Sequence, residues 1–330
     1  MLGSQGVRFV GVGGALPDGR LTNDHLAQLV DTNDEWIRTR TGMQQRALAG
    51  PEVTLTQLAV SAVRQALGAA GLEPSQIDLL VLATSTPDDL FGTASLVLAE
   101  LGAPQAVGFD LTAACSGFVF GLVTASQFLA TGAYRTAVVV GADMLSRWVD
   151  WTDRGTCILF GDGAGAVVLQ AGDPGGLLGF ALHNDGPQNS CLTLRFQPSP
   201  RPLVEDLTVG PGQFQPIAMQ GQKVYQFAVR QVPEIIEKAL FRAGCTQDQV
   251  DWLILHQANQ RILDAVAERL GIPPERVVST VAEHGNTSAA SIPLALEHLA
   301  AAGRLQPGQV LALAGFGAGL TLGAAICRWG

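Results

Sequence analysis

Two stretches of the chain resemble each other: LGAAGLEPSQIDLLVLATSTPD at residues 67–88 and LFRAGCTQDQVDWLILHQANQ at residues 240–260. Each reads as the end of a helix, a glycine, a polar turn and then an apolar strand. An aspartate precedes the strand in both, Asp78 in the first stretch and Asp251 in the second. Similarity at a fixed offset is the signature of an internal repeat.

The same offset aligns segments further along the chain. RTAVVVGAD (135–143) falls opposite GQVLALAGF (308–316), and TAACSGF falls opposite GNTSAAS. In this alignment Cys115 lies opposite Ser288. Because one offset relates three separate segments, the sequence predicts a duplicated unit of strand, small-residue turn, helix, glycine and strand.

Hydrophobic periodicity gives the class of fold. Helical periodicity occurs at 54–70, 116–130, 219–243, 259–270 and 288–302. Short apolar runs typical of buried strands occur at 79–83, 106–111, 136–141, 164–170, 251–255, 309–314 and 319–327. Helices that alternate with fully apolar strands predict α/β layers around buried sheets.

The duplication predicts two similar α/β halves, residues 1–175 and 176–330, that divide near the turn-rich AGDPGG (171–176). Packed face to face, equivalent loops of the two halves would meet near a pseudo-twofold axis. Residues 185–217 are rich in proline and glycine with little periodicity, which predicts a loop insertion that could act as a lid.

Composition limits the function classes. The chain has 330 residues, of which 47% are hydrophobic and 15% charged, and its net charge is −9. This balance suits a heavily buried protein and argues against a general nucleic-acid binder. Five cysteines without a CxxC pair and histidines without ligand spacing predict neither a disulfide framework nor a metal site. We therefore expect a cytoplasmic protein.

We expect no membrane segment and no signal peptide. Residues 310–327 carry no charge over about the minimum length of a membrane span, but they include four clustered glycines. The glycines favour two buried strands joined by a tight turn. FGDGAGAV (160–167) lacks the lysine of a phosphate loop and is interpreted as a turn between strands.

Cys115 is the first candidate for chemistry, in the stretch FDLTAACSGFVFG (109–121). It follows a predicted strand and precedes a predicted helix, where the helix dipole and unpaired N–H groups would favour a thiolate. Its small neighbours leave room for an acyl group. Taken alone, the segment fits a buried, inert cysteine better, since this is the commoner fate of a free thiol.

His256 and Asn286 are the other candidates. His256 ends an apolar strand, where ligands collect in α/β folds, and Asn286 lies in the turn that matches the Cys115 turn. Alone, the first could be a structural histidine and the second a helix cap. The predicted pseudo-twofold axis would bring all three together as one Cys–His–Asn group. Backbone N–H groups of GFGAGLT (315–321) could hold an oxyanion there.

The sequence resembles the β-ketoacyl-acyl carrier protein synthase III family, the initiating condensing enzymes of bacterial fatty-acid synthesis, over essentially the whole chain. The motifs that carry the resemblance occur in the family's order: DTNDEWIRTRTGM (31–43), AACSGF (113–118), TDRGT (152–156), FGDGAGA (160–166), HQAN (256–259), HGNTSAAS (284–291) and GFGAGLTLGA (315–324). The resemblance implies a thiolase-like fold layered α-β-α-β-α.

The resemblance also implies the reaction. A short acyl-CoA primer, acetyl or branched, would acylate Cys115 and then condense with malonyl-acyl carrier protein as CO2 leaves. His256 and Asn286 would stabilise the enolate, and the N–H groups of Cys115 and Ala318 a second oxyanion. The family uses no metal or other cofactor, since coenzyme A enters as the substrate thioester.

Further roles follow from the resemblance alone. Trp36 and Arg154 would sandwich the adenine of coenzyme A, with Arg40 and Asn259 beside it. In the acyl pocket the resemblance places two phenylalanines, Phe316 as a gate beside the nucleophile and Phe91 reaching from the second copy of a homodimer.

Arg261, five residues beyond His256, would help dock the acidic carrier protein. The family often carries lysine near the positions of Gln226 and Glu268 in this chain, which leaves the strength of docking open.

Two other functions stay open from the sequence. A related thiolase-fold condensing enzyme of secondary metabolism could use another acceptor. A Cys–His–Asn set also serves papain-like hydrolases, so that a thioester hydrolase is the alternative from a different class.

Overall fold

Strands and helices alternate along the chain, which a computed structural model describes over residues 6–172 and 175–330. The strands are β1 Gly6–Ala15, β2 Gly19–Thr22, β3 Gln45–Leu48, β4 Leu79–Ala83, β5 Val107–Leu111, β6 Thr136–Met144, β7 Asp162–Gly172, β8 Leu177–Asn184, β9 Leu192–Thr193, β10 Phe196–Pro198, β11 Arg201–Val204, β12 Leu207–Val209, β13 Gly212–Phe214, β14 Ala218–Met219, β15 Trp252–Leu255, β16 Val310–Gly317 and β17 Thr321–Arg328. The helices are α1 Asn23–Leu26, α2 Asp34–Thr41, α3 Leu55–Ala70, α4 Ala94–Leu101, α5 Gly117–Ala130, α6 Gly221–Ala243, α7 Gln260–Leu270, α8 Val281–His284 and α9 Ser291–Ala301.

Two sheets of the same topology form the frame of the molecule. The first has the order β1-β7-β6-β4-β5 and the second the order β8-β17-β16-β15. In the first sheet β5, β4 and β6 are parallel, and β7 and β1 are added antiparallel beside β6. In the second sheet β15 and β16 are parallel, and β17 and β8 are added antiparallel beside β16. Val277 bridges Leu253 in parallel where the second sheet would have its equivalent of β5. The predicted pair of similar α/β halves is thus present.

The alignment of the two halves is shifted by one residue from the sequence prediction around the nucleophile. The 3₁₀ turn Ala114–Ser116 before α5 corresponds to the 3₁₀ turn Ser288–Ala290 before α9. Both turns begin with a non-glycine residue at positive φ, 47° at Ala114 and 52° at Ser288. Ala114 therefore matches Ser288, and Cys115 matches Ala289.

The layers follow the predicted order α-β-α-β-α. Helices α3 and α4 cover the outer face of the first sheet, and α6 covers the outer face of the second with α7 packed beside it. Helices α5 and α9 lie between the sheets, and their apolar side chains form the central core. Gly141 permits this close approach, because a Cβ there would lie 2.1 Å from the carbonyl oxygen of Ala289.

The glycine-rich stretch 160–167 is not the predicted turn between strands. From Asp162 onward it forms the first part of β7, which pairs with β6 and β1. Its glycines are spaced so that the central helices can pack against the strand. A Cβ on Gly165, for example, would lie 2.8 Å from the ring of Pro293 at the start of α9.

The predicted insertion at 185–217 consists of a 3₁₀ turn and short strand pairs, and it contacts Trp148 of the first half through Phe214 and Ile217. The uncharged stretch 310–327 forms β16 and β17, an antiparallel pair inside the second sheet, as predicted. In the described part of the chain, no helix has the length and apolar character needed to cross a bilayer. The predicted boundary near 171–176 includes residues 173 and 174, which lie outside the described residues.

Candidate active site

Cys115 lies in the 3₁₀ turn that leads from β5 into the 14-residue helix α5. Its side chain is 6% exposed, and Ser288 Oγ is 3.3 Å from its Sγ. Burial raises the pKa of the Cys115 thiol to about 12; the Ser288 hydroxyl opposes the rise, and the charge of Asp143 adds to it. The sequence-based expectation of a lowered pKa is therefore not met in this structure, where desolvation outweighs the effect of the helix end.

Two cavities meet at Cys115. The one that we call the His256 cavity has a volume of about 570 Å³ and is lined by His256, Asn286 and Trp36, among others. The one that we call the Trp148 cavity has a volume of about 740 Å³ and is lined mainly by apolar side chains. A thiol between two cavities can be reached by a reactant from one side while a chain attached to it lies in the other.

His256 follows β15 and is 1% exposed. Its Nδ1 is 2.8 Å from Ser291 Oγ, which also accepts the N–H of Gln257 at 3.2 Å. The hydroxyl proton of Ser291 is thus free to donate to Nδ1, which leaves the imidazole proton on Nε2. Burial lowers the pKa of His256 to about 3, so at neutral pH the ring is an uncharged N–H donor.

Asn286 is held at the start of the turn that precedes α9. Its backbone bridges to Phe160, with its N–H on the Leu159 carbonyl and its own carbonyl on the Gly161 N–H. Its side-chain Oδ1 accepts the N–H of Ser288 at 2.9 Å. This bond orients the carboxamide, so that its Nδ2 is the part left to donate into the His256 cavity that Asn286 lines.

Cys115, His256 and Asn286 all line the His256 cavity, as the repeat led us to expect. The first half supplies the thiol from the start of α5, and the second half supplies both nitrogen donors from the end of β15 and the start of α9. The edge of the His256 ring packs against Phe316, with centroids 5.2 Å apart. The site therefore combines one buried thiol with two neutral N–H donors in a largely apolar chamber.

The backbone at the end of β16 lies directly over Cys115. A Cβ on Gly317 would be 2.6 Å from the Cys115 nitrogen and 3.1 Å from Ala114 Cβ. Only glycine leaves space for an atom above the Cys115 N–H, and Ala318, the next residue, lines the Trp148 cavity. This is where the sequence placed an oxyanion site.

Trp36, Arg40 and Arg154 form a stack on the rim of the His256 cavity. The guanidinium carbons of Arg40 and Arg154 lie 4.5 and 4.9 Å from the centroid of the Trp36 ring. Arg154 also donates to the carbonyl of Asp31 at 2.9 Å. A planar base can enter the stack only when a guanidinium moves aside, which an exposed arginine can do at little cost.

Asn259 and Arg261 lie at the start of α7 on the same rim. Asn259 caps the helix, with its Oδ1 on the Arg261 N–H at 2.9 Å and its Nδ2 on the Arg40 carbonyl at 3.0 Å. The Asn259 side chain thus links α2 to α7 through these two hydrogen bonds. The Arg261 guanidinium lies 5.4 Å from the Tyr225 ring and is exposed, so that Arg261 is a positive group at the cavity mouth.

Arg269 does not extend this positive surface. Pro233 interrupts the hydrogen bonding of α6, and the Arg269 guanidinium donates to the carbonyls of Val229 and Arg230, one turn earlier in that helix. It also pairs with Glu234 at 3.5 Å. Arg269 therefore completes a helix that proline would otherwise leave with unpaired carbonyls.

The two phenylalanines predicted for the acyl pocket do not line the Trp148 cavity of their own chain. Phe316 lines the His256 cavity, beside the imidazole, and is not part of the Trp148 cavity. Phe91 is fully exposed, next to Leu90, which is 81% exposed, and it does not reach the Trp148 cavity of its own chain. The contact of Phe91 with a second copy of the chain stays a prediction.

The walls of the Trp148 cavity were not predicted from the sequence. Trp148 and Phe214 meet edge to face at 5.9 Å, and Leu145, Phe160 and Ile217 complete the apolar surface. Phe214 and Ile217 belong to the 185–217 insertion, so this segment supplies a wall of the cavity. Nothing in the sequence indicated that these two residues form a cavity wall, because isolated apolar residues in an irregular segment show no periodicity.

Among the residues that the structure describes, no cluster of three or more histidine, cysteine, aspartate or glutamate side chains could hold a metal ion.

Comparisons with known proteins agree with this fold. Residues 109–186 match the sequence model for 3-oxoacyl-[acyl-carrier-protein (ACP)] synthase III, and residues 240–329 match the model for the C terminal part of the same enzyme. The chain is 64% identical to the beta-ketoacyl-[acyl-carrier-protein] synthase III of Thermosynechococcus vestitus over 98% of this chain and 99% of the relative.

Solved structures give the same result. The 3-oxoacyl-[acyl-carrier-protein] synthase III of Aquifex aeolicus superposes with a TM-score of 0.90 at 40% identity, covering 98% of this chain and 100% of the other. The priming beta-ketosynthase of the R1128 polyketide pathway superposes with a TM-score of 0.91 at 32% identity, covering 100% and 98%. The fold and the site thus define an acyl-transferring condensing enzyme of the thiolase fold. Within that class the chain belongs to the β-ketoacyl-acyl carrier protein synthase III family.

Proposed function

We propose that the chain initiates fatty-acid synthesis by joining a short acyl-CoA primer to malonyl-acyl carrier protein through an acyl-Cys115 intermediate, in the cytoplasm. The observation that carries the proposal is the position of Cys115 between two cavities, with His256 and Asn286 in only one of them. The acyl group can then lie in the Trp148 cavity, while coenzyme A and later the carrier arm use the His256 cavity in turn.

In the first half-reaction, the Cys115 sulfur attacks the thioester carbonyl and coenzyme A leaves. The negative charge on the tetrahedral carbonyl oxygen fits the space over the Cys115 N–H that Gly317 leaves open, with the Ala318 N–H as the second donor. An oxyanion held by two N–H groups in a water-poor site is stabilised far more than in water.

In the second half-reaction, the malonyl carboxylate leaves as CO2 and the thioester becomes an enolate. His256 Nε2–H and Asn286 Nδ2–H donate to the enolate oxygen, and both donors are neutral and fixed from behind by Ser291 and the Ser288 N–H. The enolate carbon then attacks the acyl-Cys115 carbonyl, and the thiolate leaves.

Coenzyme A would bind along the His256 cavity. Its adenine would enter the Trp36 stack after displacing a guanidinium, and Arg40 or Arg154 would then cover the base and pair with phosphate. Asn259 keeps one free N–H for this role, since its other groups bind within the protein.

The active form would be a homodimer. β5 is an edge strand of the first sheet, and Val107 on it is 48% exposed. The exposed Leu90 and Phe91 line a surface cavity together with Phe109 of β5. An uncovered apolar strand edge favours pairing with a second copy. In such a dimer Phe91 of one copy would close the Trp148 cavity of the other, which favours short or branched primers.

The protonation states argue against the hydrolase alternative. A papain-like enzyme depends on an ion pair between a thiolate and an imidazolium. Here the Cys115 pKa is raised to about 12 and the His256 pKa is lowered to about 3, so both groups are neutral at neutral pH. A donor pair for an enolate needs no such ion pair.

The experiment that tests the proposal is intact-protein mass spectrometry after incubation with acetyl-, isobutyryl- and octanoyl-CoA. We expect one acyl group per chain, lost in Cys115→Ala and kept in Cys245→Ala, which removes a partly exposed thiol outside both cavities. An acyl group retained in Cys115→Ala would disprove the assignment. Supplying malonyl-carrier protein and malonyl-CoA in parallel would separate this function from a secondary-metabolite condensing enzyme, which could accept the latter.

A further inference from the structure

Asp143 is a fully buried carboxyl group that the reaction described above does not use. It lies near the end of β6, beneath the contact between the two halves, and is 0% exposed. Four groups donate to its oxygens: Thr84 Oγ1 at 3.2 Å, the Ser85 N–H at 2.7 Å, Thr86 Oγ1 at 3.1 Å and the Ala289 N–H at 3.3 Å. An ionised carboxylate only accepts hydrogen bonds, so this surrounding suits the charged form.

Ser288 connects this carboxylate to the nucleophile. Its Oγ is 3.3 Å from Cys115 Sγ, and Asp143 accepts the N–H of the next residue, Ala289, at 3.3 Å. The Ser288 side chain is close enough to Asp143 to oppose the rise in its pKa that burial causes. A hydroxyl rotates and has one proton and two lone pairs. When that proton points to Asp143, the oxygen can accept the S–H of Cys115. The three side chains then form a continuous path for a proton.

Few other charges act on this path. The loop 84–86 and the turn 288–290 carry no titratable side chain. Asp162, whose backbone pairs with Met144, binds Ala49 and Ser146 through its own carboxylate. His256 lies beyond the Ser288 backbone, and burial keeps it neutral. Within the described residues, Cys115 and Asp143 are thus two buried acids, and the charge of Asp143 adds to the rise in the Cys115 pKa.

We propose that Asp143 takes the thiol proton of Cys115 through the Ser288 hydroxyl during acylation, and returns it when the condensed product leaves. The inference rests on the acyl-Cys115 mechanism proposed above. Asp143 acts through Ser288 and touches no substrate, so it is a positioning residue that also stores a proton.

The proton balance closes over the cycle. In the first half-reaction the S–H proton passes to Ser288 as the Ser288 proton passes to Asp143, the sulfur bonds to the acyl carbon, and coenzyme A leaves as a thiolate that takes a proton from solvent. In the second, loss of CO2 gives the enolate, a C–C bond forms, the C–S bond to Cys115 breaks, and the thiolate regains its proton from Asp143. One proton is consumed from solvent in each cycle.

Storing the proton on Asp143 also suits the second half-reaction. The acyl-enzyme then has a neutral carboxylic acid beneath the site when the malonyl carboxylate arrives and the enolate forms. A carboxylate in that place would repel both negative charges in a low-dielectric interior, where such repulsion is strong.

The test compares Asp143→Asn and Ser288→Ala with the unmodified protein. Alanine fits the Ser288 turn, because Ala114 holds the equivalent turn at φ 47°. We expect acylation of Cys115 at neutral pH to slow by roughly 10²–10³-fold in each variant, the usual worth of a positioned base. The deficit should shrink as the pH rises, because hydroxide replaces the missing acceptor, while decarboxylation of malonyl-carrier protein is retained.

Two further measurements separate proton storage from a structural role. The infrared C=O band of a protonated carboxylic acid should appear when unmodified protein is acylated, and should be absent after the same treatment of Asp143→Asn. Ser126→Ala, which removes a buried hydroxyl of α5 that bonds to neither Asp143 nor Ser288, should keep the unmodified pH profile.

The pH profile of Cys115 alkylation by iodoacetamide reads activation of the thiol without any acyl-CoA, so it tests the relay even if the acyl-enzyme proposal fails. Equal pH profiles in the unmodified protein and both variants would overturn the relay. Parallel loss of acylation and decarboxylation without recovery at high pH would also overturn it, and would assign Asp143 a purely structural role.

Discussion

Gly317→Ala should disable the oxyanion site without harming the enolate site. The added Cβ would lie 2.6 Å from the Cys115 nitrogen, closer than the roughly 2.7–3.2 Å at which an oxygen accepts an N–H. It would therefore crowd the space beside this N–H, where we propose that the oxyanion lies. Reaching an ordinary van der Waals separation would require a shift of about 0.8 Å, which breaks the same hydrogen bond.

The loss of one oxyanion donor costs about 10²–10³-fold in rate. Both acylation and condensation pass through a tetrahedral oxyanion on this N–H, so both should fall by that factor in Gly317→Ala. Decarboxylation of malonyl-carrier protein depends on His256 and Asn286 and should stay within a few fold.

Rapid-quench mass spectrometry of the acyl-enzyme and release of labelled CO2 measure the two separately. Gly68→Ala is the matched control, because a Cβ there meets nothing within 4 Å. Normal acylation in a folded Gly317→Ala protein, or an equal loss of decarboxylation, would refute the oxyanion assignment.

Three further predictions concern the other parts of the site. His256→Ala and Asn286→Ala should each slow decarboxylation by roughly 10²–10³-fold yet still accept an acyl group on Cys115, and the reverse pattern would exchange their roles. Phe91→Thr should shift the primer preference in mass-spectrometric competition towards longer acyl-CoAs, and a fully active monomer or an unchanged chain-length profile would contradict the dimer contact. Arg261→Glu should slow condensation with malonyl-carrier protein while sparing acylation by acyl-CoA, and the carrier step of the unmodified protein should weaken between low and physiological salt. Equal loss in both steps for Arg261→Glu would indicate a defect in folding or coenzyme A binding.

The sequence predicted the fold well where the chain is strongly periodic. The helix predicted at 54–70 begins at Leu55 with Thr54 as its cap, and the strand predicted at 79–83 has those bounds in the structure. Such elements bury one face, or the whole strand, so that their apolar residues recur with the period of a helix or form an apolar run in the sequence. The strand at Gly6–Ala15 was missed, because its four glycines and mixed polarity hide the alternation.

The site was predicted in part for a similar reason. Cys115, His256 and Asn286 lie at ends of regular elements, so the repeat alone brought them together. The Trp148 cavity depends on how an irregular insertion folds back, and no local pattern encodes that. The lowered thiol pKa was expected from the helix end alone, but the degree of burial, which sets the sign of the shift, depends on the packing of both halves.

Because the two halves are similar, the Cys115 turn can be compared with the equivalent Ala289 turn in the same molecule. Asp143 and Gly317 hold equivalent positions, one in each half, and so do Ala289 and Cys115. In one half a carboxylate oxygen sits on the Ala289 N–H; in the other, the missing side chain leaves the Cys115 N–H uncovered. The molecule therefore carries a built-in anion on the copy of the turn that does no chemistry. In the Ala289 turn an oxygen of the protein itself thus fills the place that the proposed oxyanion would take in the Cys115 turn.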